Sequence, residues 1–130
     1  MNETVDLLFV YGTLKDKRAH PLARYLWRHA TYLGRATFQG RLYRPAHYPA
    51  VVASADPADK VTGAVFYLRS RAILKKLDDY EGCGSRDVAP YLFRRQIVTV
   101  TDARGHLRQA WIYLYNRHPH PNPLPSRERK

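Results

Sequence analysis

Two short segments of this chain combine residue types and spacings that could do chemistry. The first is Tyr11-Gly12-Thr13-Leu14. The apolar run Leu7-Leu8-Phe9-Val10-Tyr11 leads into it and ends at Gly12; the run is continuous and reads as a strand buried on both faces. Glycine admits backbone conformations closed to other residues and leaves its amide uncovered. Successive N–H groups at such a turn form a concavity that holds an anion. The phosphate-loop spacing G-x-x-x-x-G-K-[ST] is absent, so a carboxylate suits this turn better than a polyphosphate. A strand-ending turn with no ligand is the competing reading.

The second segment is Asp78-Asp79-Tyr80-Glu81-Gly82, with three carboxylates in four positions. Ile73, Leu74, Leu77 and Tyr80 recur at helical spacing, Ser70 is a suitable N-cap, and Gly82 suits the end of the helix. The acids then sit at the negative end of the helix dipole, with Asp78 and Glu81 on one face. Both effects disfavour ionisation and would raise the pKa of at least one acid, with Lys75 and Lys76 offsetting part of this. A carboxyl so poised can take a proton from an ammonium and return it to a leaving amine near neutral pH. The competing reading is a solvated acidic helix end.

Other residues carry weaker signals. Cys83 has no histidine at a spacing that predicts a nucleophile–base pair. His118 and His120 lie among prolines without further ligands. Trp111, Tyr113 and Tyr115 alternate with Ile112 and Leu114, the pattern of a buried strand, with one tyrosine hydroxyl reaching a pocket as the alternative. Arg94 and Arg95 point to opposite faces of a strand, so only one can meet a ligand.

These residues need elements to position them. After the first strand, Pro21, Leu22, Tyr25, Leu26 and His29 predict a helix. Thr31 to Tyr43, interrupted by Gly34 and Gly40, reads as one bent strand or two short ones, followed by a loop from Arg44 to Ala50. Residues 55–60 read as a turn, Val61 to Leu68 as a strand, and Phe93 to Thr101 with Leu107 to Tyr115 as a hairpin around Asp102-Ala103-Arg104-Gly105. The order β-α-β-β-β-α-β-β has too few helices for a doubly wound sheet and predicts an α+β fold. Residues 1–116 form the expected domain. Residues 117–130 carry four alternating prolines and basic residues, and read as a disordered tail.

At 130 residues the chain suffices for one domain with its own core. No run of 18 apolar residues exists to span a membrane, and the N-terminus lacks a basic signal-peptide region. The single cysteine excludes an intrachain disulfide and points to the cytoplasm. The net charge of +11 invites polyanions, but the basic residues of the domain are scattered, without a block of five or six.

Taken in order, Leu8-Phe9-Val10-Tyr11-Gly12-Thr13-Leu14, Tyr48-Pro49-Ala50, Val61-Thr62-Gly63-Ala64-Val65-Phe66, Leu77-Asp78-Asp79-Tyr80-Glu81-Gly82 and Phe93-Arg94-Arg95 form a recognisable series. Over residues 7–115 the chain resembles the γ-glutamylcyclotransferase-like superfamily, on its γ-glutamylamine cyclotransferase branch. It departs from that pattern at Ala64, where many relatives carry Glu, and at Phe93, where Tyr is frequent. The resemblance implies a small mixed β-barrel with two flanking helices around one pocket, and no cofactor or metal. It implies that backbone N–H groups of Tyr11, Gly12, Thr13 and Leu14 hold the α-carboxylate of a γ-glutamyl group, and that Glu81 is catalytic. Tyr48 and Tyr115 complete the expected substrate-binding set. The expected partner is a small γ-glutamyl amine or amide, with no specific nucleic acid and no membrane, and the protein is expected as a monomer or weak dimer.

The implied reaction fits the acid cluster. Glu81 would deprotonate the substrate α-ammonium, the amine would attack its own γ-carbonyl, and 5-oxoproline and an amine would leave. A binding module of the same fold, holding an amino-acid-like carboxylate without chemistry, is the alternative, and an electrostatic nucleic-acid binder the third.

Overall fold

A computed structural model of the chain describes residues 5–11, 21–44, 49–81 and 93–116, the side chains of residues 21, 22, 80 and 81 excepted. Within them lie strand β1 (Leu7–Val10), helix α1 (Pro21–His29), strands β2 (Ala30–Tyr43), β3 (Ala50–Ala53) and β4 (Lys60–Leu68), helix α2 (Ala72–Glu81), and strands β5 (Phe93–Asp102) and β6 (Leu107–Tyr115). The predicted tail, from residue 117 onward, lies outside the described residues.

The strands pair in the order β3-β2-β4-β1-β6-β5, and β5 returns to β2 through Ala36↔Asp102 and Thr37↔Thr101. Among the described residues β2, β4, β1, β6 and β5 therefore close a five-stranded barrel, with β3 annexed to the far end of β2. The barrel is mixed because β1 and β6 run parallel, at Leu8↔Trp111, while the other neighbours are antiparallel. This is the small mixed barrel with two helices that the resemblance implies.

Alternation along the strands makes two cores. Phe9, Phe38, Val61, Val65, Val100, Ile112 and Leu114 fill the barrel. Leu8, Val10, Phe66, Leu68 and Tyr113 point outward and are covered by Leu26 of α1 and by Ile73, Leu74 and Leu77 of α2. The apolar run of β1 is unbroken because it feeds both cores, and all four of its residues are buried.

The segment 31–43 is one strand, not two. Its register against β4 slips between Tyr32 and Gly34, so Leu33 is an inserted residue. Gly34 has φ of +138°, a conformation that a side chain would strain. The bulge reverses the phase of the strand. Ala30 packs with the helix-covered core before it, and Ala36 and Phe38 with the barrel core after it. A reading by simple alternation has no means to register that reversal. The third central strand is instead β3, in a region where the prolines predict loop at Ala50. Four residues, Ala-Val-Val-Ala, are too short to show a period, but they pair with β2 from Ala50↔Tyr43 to Ala53↔Gly40 and bury Val51 completely.

The helix α2 starts as its sequence predicts. The Ser70 hydroxyl accepts from the Ala72 amide at 3.1 Å, and the Ser70 carbonyl accepts from Ile73 at 3.2 Å. Gly63 of β4 lies close against the end of β1. A Cβ there would be driven into the Val10 carbonyl oxygen and lie 2.7 Å from the Phe9 ring.

Candidate functional site

The parallel pairing of β1 and β6 brings the end of β1 beside the end of β6, and Phe93↔Tyr115 puts the start of β5 at the same place. The end of α2 lies over this region, because Leu74 and Leu77 pack on Leu8, Val10 and Tyr113. One barrel mouth thus gathers Tyr11, at the end of β1, and the last turns of α2.

A chain of hydrogen bonds runs across this mouth. The Tyr11 hydroxyl donates to the Tyr113 carbonyl at 2.6 Å, across 102 positions of sequence. The Tyr113 hydroxyl donates to Asp78 Oδ1 at 2.6 Å. Arg95 lies opposite Tyr113 in the β5–β6 pairing and grips the same carboxylate with two prongs, Nε to Oδ1 at 2.7 Å and Nη2 to Oδ2 at 3.0 Å. The Arg95 guanidinium is also stacked 4.3 Å from the centre of the Trp111 ring, and the Trp111 indole donates to the Val5 carbonyl at 2.9 Å. Asp78 and Arg95 are largely shielded, with side chains 17% and 24% exposed, so the ion pair is one that solvent screens only in part. Arg71, Leu74, Lys75, Asp78 and Arg95 line an open groove of about 410 Å³ beside it.

This arrangement changes the reading of the acid cluster. Like-charge repulsion between Asp78 and Glu81 was the expected consequence of their spacing. Asp78 instead meets the Arg95 cation and a tyrosine hydroxyl, so its charge is compensated from β5 and β6. Arg94, on the opposite face of β5, is exposed and donates to Gln96, so of the two arginines it is Arg95 that reaches Asp78.

The predicted site residues fare differently. Tyr11 lies at this mouth, its ring packed against the barrel core. Tyr115 is half-buried, with its ring edge-on to Phe93 at 5.9 Å. Glu81 is the last residue of α2, three positions beyond Asp78, and its side chain is not described. Gly12, Thr13, Leu14 and Tyr48 lie outside the described residues, as do Cys83, His118 and His120. Ala64 is buried in the helix-covered core, opposite Val10 in the register, and Phe93 is buried beside Tyr115. The Asp78–Arg95–Tyr113 cluster was not foreseen. Each member carried a signal, as an acid in the cluster, one of an arginine pair and a ring in the tyrosine stripe, but nothing local joins them. Among the described residues, no three His, Cys, Asp or Glu side chains come together as a metal would require.

The family described as gamma-glutamyl cyclotransferase, AIG2-like, matches residues 8–129. The chain belongs to that family. Solved structures share the fold of this cyclotransferase-family domain. An AIG2-like protein from Mus musculus superposes with a TM-score of 0.69 at 25% identity, over 88% of this chain and 80% of the other. YkqA from Bacillus subtilis gives 0.64 at 26% identity over 85% of this chain, which spans only 36% of YkqA. A gamma-glutamyl cyclotransferase gives 0.59 at 22% identity, over 85% and 66% of the two chains. No curated protein sequence matches the chain significantly.

Proposed function

We propose that this family member is a cofactor-independent cyclotransferase that converts a γ-glutamyl amine or amide into 5-oxoproline and a free amine. The observation that carries the reading is the family match across residues 8–129, which includes both motif segments. The hydrogen-bonded link from Tyr11 through Tyr113 to Asp78 supports it by tying together the two elements from which those motifs extend.

In this reading the amides of the turn at Tyr11, Gly12, Thr13 and Leu14 hold the α-carboxylate of the glutamyl group, with Tyr48 and Tyr115 completing the pocket. Glu81 takes a proton from the α-ammonium. The freed amine attacks the γ-carbonyl carbon, the ring C–N bond forms, and the bond from that carbon to the leaving nitrogen breaks. Glu81 returns its proton to the leaving nitrogen, and the second proton shed by the cyclising nitrogen leaves the departing amine as an ammonium. Closure is intramolecular, so holding the folded conformer and moving protons from the cyclising to the leaving nitrogen are the main tasks.

Incubation with a panel of γ-glutamyl amines, read as 5-oxoproline released, tests the reaction. Glu81→Gln is expected to fold normally and to lose at least about a hundredfold in rate. Full turnover by that variant removes Glu81 from the mechanism. Ligand binding with no 5-oxoproline from any member of the panel points instead to a non-catalytic module of the same fold.

A further inference from the structure

We infer that Tyr113 is a positioning residue that locks the last turns of α2, which end at Glu81, to Tyr11 at the end of β1. The inference rests on the proposed reading for its catalytic meaning, but its physical content is separate.

Tyr113 uses both of its ends. Its backbone carbonyl accepts the Tyr11 hydroxyl at 2.6 Å, and its own hydroxyl donates to Asp78 at 2.6 Å, with the Leu74 carbonyl 3.4 Å from the same oxygen. Its ring is buried between those partners among Leu8, Val10, Leu74 and Leu77, at 3% exposure. Asp78 is held a second time by the two-pronged Arg95, and the Arg95 guanidinium lies over the Trp111 ring. The carboxylate is therefore fixed by donors from two adjacent strands, which constrain both its position and the rotation of its plane. Asp78 lies within one helical turn of Glu81, on the same face of α2. A helix end fastened at that point cannot roll or slide over the barrel without breaking charged hydrogen bonds. The arrangement is also more than packing requires. A phenylalanine would fill the same apolar space, and an apolar residue at position 78 would need no arginine. Buried polar groups that are satisfied in this manner fix one geometry in preference to others of similar packing.

Cyclisation is sensitive to such placement, since a misplacement of about 1 Å can cost about a hundredfold in rate. Tyr113→Phe removes the bond to Asp78 while keeping the ring and the carbonyl that Tyr11 uses. The expected result is a kcat at least about tenfold lower with KM changed by less than about threefold. Arg95→Lys, which retains one charged bond, should keep more kcat than Arg95→Ala. Amide hydrogen exchange gives a readout that needs no turnover. Tyr113→Phe should quicken exchange at Leu77–Glu81 by at least about fivefold, with exchange in β5 and β6 as in the parent protein. Unchanged exchange in that turn overturns the inference. So does unchanged kcat, a loss carried by KM alone, or quickened exchange spread over the whole barrel. If the parent protein releases no 5-oxoproline, the proposed reaction fails, and the exchange experiment still decides whether Tyr113 locks the helix.

Discussion

Two residues near the candidate site carry unusual local demands. Gly63 lies where β4 passes under the end of β1. Gly63→Ala would force the new methyl against the Val10 carbonyl, which as backbone of the barrel wall cannot swing aside, and against the Phe9 ring packed in the barrel core. It should destabilise the fold by about 2 kcal/mol or more, read as a lower urea midpoint. Arg95 makes a different demand. Arg95→Ala leaves Asp78 shielded with both bonds from the guanidinium gone, at an expected cost of about 1–3 kcal/mol in the same measurement. Neither demand was legible in the sequence. A glycine in a strand pattern signals a bulge or a close approach without saying which, and Arg95 differs from Arg94 only in the face it presents.

At the scale of elements, ends and turns were the most legible features, because their chemistry is local. Ser70 caps α2 as its residue type and place suggest, and Ser70→Ala should lower stability by about 1 kcal/mol, measured by thermal unfolding. The β5–β6 turn is built around Asp102, whose Oδ1 accepts from the amides of Arg104 and His106, each at 2.9 Å. The His106 amide, helped by the Arg104 amide and the Arg108 side chain, holds the Asp102 carboxyl below its ordinary pKa and outweighs partial desolvation. A depressed pKa in the folded state means stability that is present above the unfolded value and lost as pH falls through the folded one. The gap in thermal midpoint between the parent protein and Asp102→Ala should therefore be full at pH 7 and shrink below about pH 4. The β2 bulge was illegible, because hydrophobic alternation changes phase at Leu33 and mimics a break between two strands.

For the whole molecule, the net charge of +11 has no single block behind it. Away from the candidate site, Arg35, Arg104 and Arg108 meet with Asp102 along a groove of about 320 Å³ between β2 and the β5–β6 turn. Charge gathered in this way attracts polyanions without reading a sequence. Any RNA affinity should fall steeply with added salt and be the same for unrelated sequences, as measured by filter binding from low to physiological ionic strength.

What the chain determined by itself is whatever depends on neighbours in sequence. That covers the apolar run of β1, the capped start of α2, the Asp102 turn, and a series of motifs specific enough to indicate the family and its barrel. What only the tertiary structure decided is which distant residues meet. Tyr11 and Tyr113 are 102 positions apart, Tyr113 and Asp78 are 35, and Asp78 and Arg95 are 17. Their contact follows from closing a barrel with a parallel β1–β6 pair and laying α2 over it. No periodicity or propensity encodes that contact, since hydrogen bonds between remote side chains depend on the register of strands that the chain brings together only once it is folded.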